Sequence, residues 1–122
     1  WAAAAPMATA RSTLGMAALG GKIYAAGGHS SSAAPGAVEA YDPQSNTWSA
    51  VASMGTGRTL FGLWGKLYAV MRGKLYAVGG LNNAQVYNTL ATADEAYDPQ
   101  HNCWEAIAPM ASARYAHALV AI

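Results

Sequence analysis

The residues best suited to metal binding or nucleophilic chemistry in this chain are three histidines and one cysteine. His29, His101 and His117 include no pair at the i, i+4 spacing that puts two ligands on one helix face. Cys103 has no second cysteine for a disulfide or a thiolate metal site. No P-loop, nucleophile elbow or H-E-x-x-H motif is present. We therefore expect no catalytic residue, no metal site and no bound cofactor.

The carboxylates with recurring positions are better explained by structure than by acid–base catalysis. Asp42 and Asp98 each precede a proline, in a Pro-Gln-x-Asn context that is typical of a turn. Glu39 and Glu95 lie three residues before them. Because all four recur in the same register, scaffold roles are expected for them.

These elements belong to a unit that occurs more than once. The string Ala-Tyr-Asp-Pro-Gln-x-Asn-x-Trp occupies residues 40–48 and again 96–104. An apolar segment between Gly-Lys and Gly-Gly occupies residues 21–28 and 73–80. An Arg stands four residues after a Met three times, at Arg11, Arg58 and Arg114. The chain therefore contains two full units of roughly 50 residues and the start of a third.

Each unit is predicted to form four short strands. The first follows the Arg, at Leu14–Leu19 or Leu60–Met71, and a Gly-rich turn leads into the second strand, which ends at Gly-Gly. The third strand precedes the Asp-Pro turn, and the fourth contains Trp48 or Trp104. Four strands repeated about every 50 residues favour a β-propeller over a sandwich or barrel.

The second unit contains a near-duplication. Residues 65–70 and 73–78 have the same six letters, Gly-Lys-Leu-Tyr-Ala-Val. One interpretation is a lengthened first strand that pairs with its near-copy through residues 71–74. The alternative is a local duplication or an uncertain stretch of sequence.

The composition limits the class of partner. Apolar residues make up 53% of the 122 residues, but alanine dominates them, so the four Trp and seven Tyr should supply much of the core. Seven Lys and Arg balance six Asp and Glu, and the basic residues are scattered singly, which argues against a nucleic-acid surface. No charge-free segment is long enough to span a bilayer, and no signal peptide is visible.

Together, these motifs resemble the kelch repeat family and are most similar to its kelch-like branch. The resemblance is carried by the Gly-Gly doublets, the Tyr and Trp of each unit, the Pro-Met-x-x-x-Arg segments at 6–11 and 109–114, and Val-Glu-Ala-Tyr-Asp-Pro at 38–43. It implies one propeller blade per unit, with the first strand at the central channel and the Trp-bearing strand outermost. Gly-Gly would let backbones approach closely.

The expected architecture is all-β: a kelch-type β-propeller with two four-stranded blades plus the first strand of a third. Residues 1–10 would end a preceding blade, 11–53 and 54–109 would form the two blades, and 110–122 would begin the third. Because two blades cannot close a propeller, we expect either a larger parent chain or several copies to supply the remaining blades.

The resemblance also implies a partner-binding face built from inter-strand loops. The residues after each Gly-Gly map to it, and those loops are where binding is commonly found. The second loop is the longer and contains an aromatic residue of the kind enriched at hot spots. The predicted contact residues are His29, Ser30, Ser31, Leu81, Asn82, Asn83 and Tyr87. Polarity that reflects only a loop location is the competing explanation.

The repeated arginines and the residues after them are further candidates, at Arg11, Ser12, Arg58 and Thr59. In the family this position lies near the mouth of the channel. A guanidinium could bind an acidic peptide through two parallel hydrogen bonds. The alternative is a hydrogen bond within or between blades that repeats because the blade repeats.

The expected function is non-enzymatic binding of a protein or peptide, with no nucleic-acid or membrane partner, in the cytoplasm. The kelch-like resemblance suggests a substrate-recruiting subunit of a cullin-type ubiquitin ligase, which would require BTB and BACK domains. A structural subunit of a large assembly is the alternative. A kelch-type sugar mutarotase or copper oxidase is less favoured. The oxidase would need a Tyr–Cys cross-link and a copper-binding His pair, but Cys103 lies beside Trp104 on the predicted outer strand without histidine partners.

Overall fold

The computed structural model of the chain describes residues 1–31, 36–59, 68–78, 81–82 and 94–111. Every regular element in these ranges is a β-strand, and ten strands are present in them. They are β1 Gly15–Leu19, β2 Lys22–Ala26, β3 Val38–Asp42, β4 Thr47–Val51, β5 Arg58–Thr59, β6 Tyr68–Met71, β7 Lys74–Ala77, β8 Leu81–Asn82, β9 Asp94–Asp98 and β10 Cys103–Ile107.

The first sheet contains β1 to β4 in sequence order, each antiparallel to the next. Gly20 and Gly21 join β1 to β2 with φ angles of 59° and 76°, which glycine adopts at no steric cost. The predicted strands and this predicted turn are confirmed. The Trp48 strand lies at the edge of the sheet, as the family resemblance implied.

The second sheet repeats the arrangement with β6, β7, β9 and β10. β6 pairs with β7, so that Val70 lies opposite Leu75 in register. The near-copies therefore do pair through Arg72 and Gly73, both of which have positive φ. Residues 60–67, which would lengthen the first strand, lie outside the described residues.

The Asp-Pro turns between the third and fourth strands follow the predicted chemistry for their aspartates. Asp42 Oδ1 accepts a hydrogen bond from Gln44 N, and Asp98 Oδ1 accepts one from Gln100 N, each at 2.9 Å. The asparagine of each turn adopts a left-handed conformation, with φ 53° at Asn46. Its side chain bonds elsewhere, as described below for both copies.

The core lies between the two sheets, and the two first strands, β1 and β6, are adjacent there. Tyr24 and Val38 of the first sheet pack in one buried cluster with Leu75 and Tyr97 of the second. The rings of Tyr24 and Tyr97 have centroids 5.6 Å apart. Two tyrosines thus contribute large side chains to this core, together with aliphatic residues and Met54.

Two four-stranded antiparallel sheets, packed face to face, confirm the all-β class and the blade architecture. The expected first strand of a third blade lies mainly in residues 112–122, outside the described residues. Within the described part of the chain, no helix is long and apolar enough to cross a membrane.

Candidate functional site

In each unit, the segments that the sequence singled out for binding pair with one another, at the end of the first sheet and in a separate two-stranded sheet of β5 and β8. In the first unit, the backbones of Ser12 and His29 pair in both directions, with N–O distances of 3.0 and 2.8 Å. In the second, β5 pairs with β8, so that Thr59 lies opposite Leu81 and Arg58 opposite Asn82. The residue after each Arg therefore lies beside the residues after each Gly-Gly. We call this end of the molecule the loop end.

A glycine makes the close approach at the loop end possible. Gly28 has a φ of 94°, and a Cβ at this position would lie 2.7 Å from the carbonyl oxygen of Ser12. It would also lie 2.9 Å from Leu14 Cβ. Any side chain at residue 28 would push His29 away from Ser12, which confirms the close backbone approach expected of this doublet. Gly79 and Gly80 lie outside the described residues.

Arg11 is buried inside the first sheet's end instead of facing a partner. Its side chain is 1% exposed and forms an ion pair with Glu39. Its Nη1 donates to the carbonyl oxygens of Gly27 at 3.2 Å and Ala37 at 2.7 Å. Of the two roles considered for this arginine, the structure shows the intra-blade hydrogen bonds. The geometry does not support acidic-peptide binding by the Arg11 guanidinium.

Through its hydrogen bonds, Arg11 nevertheless positions the loop that contains predicted contact residues. Gly27 and Ala37 stand at the two ends of the connection between β2 and β3, which contains His29, Ser30 and Ser31. A buried cation that bonds both ends fixes the separation of the ends of this connection. Arg11 is thus a positioning residue for the loop, and its own side chain is buried.

The remaining predicted contact residues differ in exposure, and two of them lie outside the described residues. Ser12, His29 and Ser31 are exposed, and Ser30 is half-buried. Leu81 and Asn82 occupy the corresponding backbone positions in the second unit. Asn83 and Tyr87 lie outside the described residues, so their predicted contact role stays a prediction.

Two buried glutamates tie the segment before each Arg to its sheet. Glu39 Oε1 accepts a hydrogen bond from Ala8 N at 3.0 Å. Glu95 accepts from Gly55 N at 2.7 Å and from Thr56 N at 3.2 Å. The scaffold role expected for these carboxylates agrees with these contacts, since both accept hydrogen bonds from backbone amides and Glu39 also pairs with Arg11.

The opposite end of each sheet carries a second repeated hydrogen-bond arrangement, which we did not predict from the sequence. Asn46 Oδ1 accepts from Ala5 N, and Trp48 Nε1 donates to Ala5 O, both at 2.8 Å. In the second unit, Asn102 Oδ1 accepts from Ala52 N and Trp104 Nε1 donates to Ala52 O in the same way. The recurrence of Asn and Trp was visible in the sequence, but their common target on another segment was not.

The Asp-Pro turn of the second sheet also carries a cluster of charged side chains, and the first sheet has only some of their equivalents. His101 Nδ1–H donates to Asp98 Oδ2 at 3.0 Å, and this bond, with backbone amide bonds, lowers the Asp98 pKa to about 2. Glu105, with Asp98, raises the pKa of Lys74 by charge attraction. His101 is exposed, as predicted. Among the described residues, no group of three or more His, Cys, Asp or Glu side chains could hold a metal ion.

Comparison with known proteins agrees with this architecture. The family model described as the Kelch motif matches residues 10–55 and 65–111. Mouse kelch-like protein 35 is 37% identical over 103 residues, which are 84% of this chain and 16% of that protein. The mouse influenza virus NS1A-binding protein homolog is 46% identical over 77 residues, 63% of this chain and 11% of its own length.

A solved structure, that of YjhT, shares the fold. It superposes with a TM-score of 0.74 at 18% identity, over 91% of this chain and 42% of the YjhT chain. The chain thus spans less than half of YjhT and only 11% to 16% of the two relatives named above.

Proposed function

Because this chain belongs to the kelch repeat family, we propose that it is a non-enzymatic module that binds a protein or peptide at the loop end. The supporting observation is the backbone pairing of Ser12 with His29, which recurs between β5 and β8. Two units thereby place the same pair of segments at corresponding positions. A rigid sheet below variable loops is a common arrangement for recognition.

The chemistry of the loop end favours recognition by hydrogen bonding over recognition by charge. The exposed side chains described there include Ser12, His29 and Ser31, while the Arg11 cation at this end of the first unit is neutralised by Glu39 inside the sheet. Binding through such a surface should depend weakly on salt, because screening acts on separated charges.

The buried carboxylates support the non-enzymatic part of the proposal. A general acid or base must reach its substrate within hydrogen-bond distance. Glu39 and Glu95 are buried and already accept backbone amide hydrogen bonds. A mutarotase or copper-oxidase activity therefore gains no support from these residues.

A peptide-display selection against the 122-residue chain tests the loop end directly. Peptides that bind should lose at least about tenfold in affinity for the double variant Ser12→Ala/His29→Ala. Asn83→Ala/Tyr87→Ala should act in the same direction. The matched control is Gln44→Ala, an exposed residue in the turn at the opposite end. Selected peptides that bind all variants equally would refute the loop-end assignment.

A more specific role follows from the kelch-like resemblance and is part of the same proposal. Such a module could recruit substrates to a cullin-type ubiquitin ligase in the cytoplasm. This role predicts a BTB-coding region in the parent transcript, and sequencing of that transcript tests it. A transcript without such a region would instead favour the alternative, a structural subunit of a large assembly.

A further inference from the structure

The loop between β2 and β3 of the first sheet rests on the segment that connects the two sheets. In that segment, Met54 N donates to the carbonyl oxygen of Gly36 at 2.9 Å. Gly36 lies two residues before β3 and is buried, and Met54 is 5% exposed. A buried backbone hydrogen bond therefore joins the connecting segment to the base of the loop that contains the predicted contact residues His29, Ser30 and Ser31.

Only a residue without a side chain fits at Gly36. A Cβ at this position would lie 2.7 Å from the Met54 carbonyl oxygen, a distance that Cβ atoms essentially never show. Because that oxygen belongs to the backbone, no side-chain rotation relieves the contact. Gly36 does not have a positive φ, so the close approach alone requires glycine here. A larger residue has to displace either the loop base or the connecting segment.

The connecting segment leads directly from this contact to the binding candidates of the second unit. The amides of Gly55 and Thr56 donate to the buried Glu95 carboxylate at 2.7 and 3.2 Å. Arg58 then begins β5, which pairs with β8. The four-residue step from Met54 to Arg58 spans at most about 14 Å. The base of the first loop is thus held near the β5–β8 pair.

The residue after Gly36 ties the same loop base to its own sheet. Ala37 O accepts hydrogen bonds from Gly27 N at 2.9 Å and from Arg11 Nη1 at 2.7 Å. Consecutive residues are therefore bonded to different parts of the molecule, Ala37 to the first sheet and Gly36 to the segment that leads into the second. These two anchors together set the position of the first loop relative to β5 and β8.

The second unit holds the segment that follows it by another kind of bond. Met110 N donates to the Asp94 carboxylate on β9 at 2.9 Å. Residue 92, which corresponds to Gly36, lies outside the described residues. In the first unit donor and acceptor are both backbone atoms, whereas in the second the acceptor belongs to a side chain. Within the described part of the chain, the direct bond from a loop base to the next segment is thus a feature of the first unit.

From these contacts we infer that Gly36 is a positioning residue, which holds the first loop and the β5–β8 pair at a fixed separation so that one partner peptide contacts both. The inference rests on the proposed binding function and names the kind of partner, a peptide that bridges two units. A fixed separation lowers the entropic cost of binding such a peptide, because neither segment has to be brought into place.

Amide hydrogen exchange tests the link without any partner. Gly36→Ala should break the bond from Met54 N, so the Met54 amide should exchange at least about tenfold faster, relative to the core amide of Tyr97. Gly21→Ala is the matched control, because it strains a turn at the opposite end of the sheet. It should leave the relative exchange of Met54 unchanged. Equal relative exchange in Gly36→Ala and the unmodified chain overturns the inference.

Peptide selection against the 122-residue chain then tests the positioning role. Selected peptides are sorted by their response to His29→Ala and Asn82→Ala, which each remove one predicted contact residue. Peptides that need both residues should bind Gly36→Ala at least about tenfold more weakly and should bind Gly21→Ala as before. Peptides that need only His29 should bind Gly36→Ala with unchanged affinity, a difference that general damage to the first loop would not produce.

The outcomes separate this inference from the proposed function. Equal loss of affinity for both groups of peptides means that Gly36 only supports the first loop, which overturns the inference. Peptides that respond to His29→Ala but not to Asn82→Ala, with none that respond to both, also overturn it, while binding at the loop end stands. Peptides that bind every loop-end variant as well as the unmodified chain refute the proposed function, and the inference with it.

Discussion

The two sheets contain the same unit, yet equivalent positions have different surroundings. Leu75 is almost fully buried, whereas Ile23 at the same place in the first sheet is more than one-third exposed. Their strands, pairing partners and side-chain types are alike. The difference arises because the first sheet covers Leu75, while no described residue covers Ile23 to the same extent. Burial in a repeat protein is therefore set by the neighbouring unit as much as by the unit itself.

A second contrast concerns how each unit holds the segment that follows it. In the first unit, Met54 N donates to the carbonyl oxygen of Gly36 at 2.9 Å. In the second, Met110 N donates to the Asp94 side chain at the same distance. The same backbone amide is thus satisfied by backbone in one copy and by a carboxylate in the other. The amide at this position is therefore hydrogen-bonded in both units, although the type of acceptor differs.

The largest expected effect comes from breaking the ion pair that fixes the loop end of the first sheet. Arg11→Met leaves Glu39 buried without its cation and removes the bonds to Gly27 and Ala37. Loss of one partner of a buried pair costs about 3–5 kcal/mol. Urea denaturation should show a decrease of this size in the free energy of unfolding.

Two further variants determine whether burial is the cause. The double variant Arg11→Met/Glu39→Met should recover part of the loss, because no unpaired charge remains. Lys22→Met breaks the exposed pair with Asp42 and should cost less than about 1 kcal/mol. An Arg11→Met effect as small as that of Lys22→Met would contradict the buried role.

The contrast between Leu75 and Ile23 gives the next largest effect. Leu75→Ala should destabilise the chain by about 2–5 kcal/mol, because it leaves a cavity between the sheets. Ile23→Ala should cost less, about 1 kcal/mol, because this residue is already 37% exposed. Equal losses of unfolding free energy from the two variants in urea denaturation would contradict this difference in burial between Leu75 and Ile23.

Much of this fold could be predicted because local chemistry and repetition agreed. Gly20-Gly21 and Arg72-Gly73 marked hairpins, and the doubled Asp-Pro string marked the turn between the third and fourth strands. The exposure of Ile23 could not be predicted in this way. Its strand has the same pattern as that of Leu75, and the covering surface lies on another unit.

The candidate site was predicted only in outline. The residues after Gly-Gly and after Arg were named separately, and the structure pairs Ser12 with His29. The direction of the Arg11 side chain depends on the distant Glu39 and Ala37, which no local pattern relates to it. The targets of Asn46 and Asn102 were missed for the same reason, since each bonds a segment more than forty residues away.

Glycine substitutions at the two ends of the first sheet should have unequal effects. Gly28→Ala combines a positive φ with a contact to Ser12 O at 2.7 Å, so it should cost about 1–3 kcal/mol and disturb the Ser12–His29 pairing. Gly21→Ala keeps a positive φ but meets nothing within 4 Å, so strain alone should cost about 1–2 kcal/mol. Thermal denaturation compares the two, and amide exchange at His29 should increase only for Gly28→Ala. Faster His29 exchange in Gly21→Ala as well would contradict a local role for Gly28.

The smallest expected effect distinguishes the two Asp-Pro turns by their response to acid. The Asp98 pKa is lowered from 3.8 to about 2, chiefly by the His101 hydrogen bond; burial opposes this, and the amides of Gln100 and His101 lower the pKa further. Because the pKa is lower in the folded state, this carboxylate stabilises the fold fully above pH 3.8, and the contribution is lost as the pH falls through about 2.

The first sheet offers the reciprocal change, because Ser45 stands where the second sheet has His101. His101→Ser should raise the Asp98 pKa, and Ser45→His should lower the Asp42 pKa further below its ordinary value. Carboxyl-carbon NMR titration measures both midpoints directly. An unchanged Asp98 midpoint in His101→Ser would mean that the backbone amides alone lower the Asp98 pKa. The two turns would then be equivalent despite their different sequences.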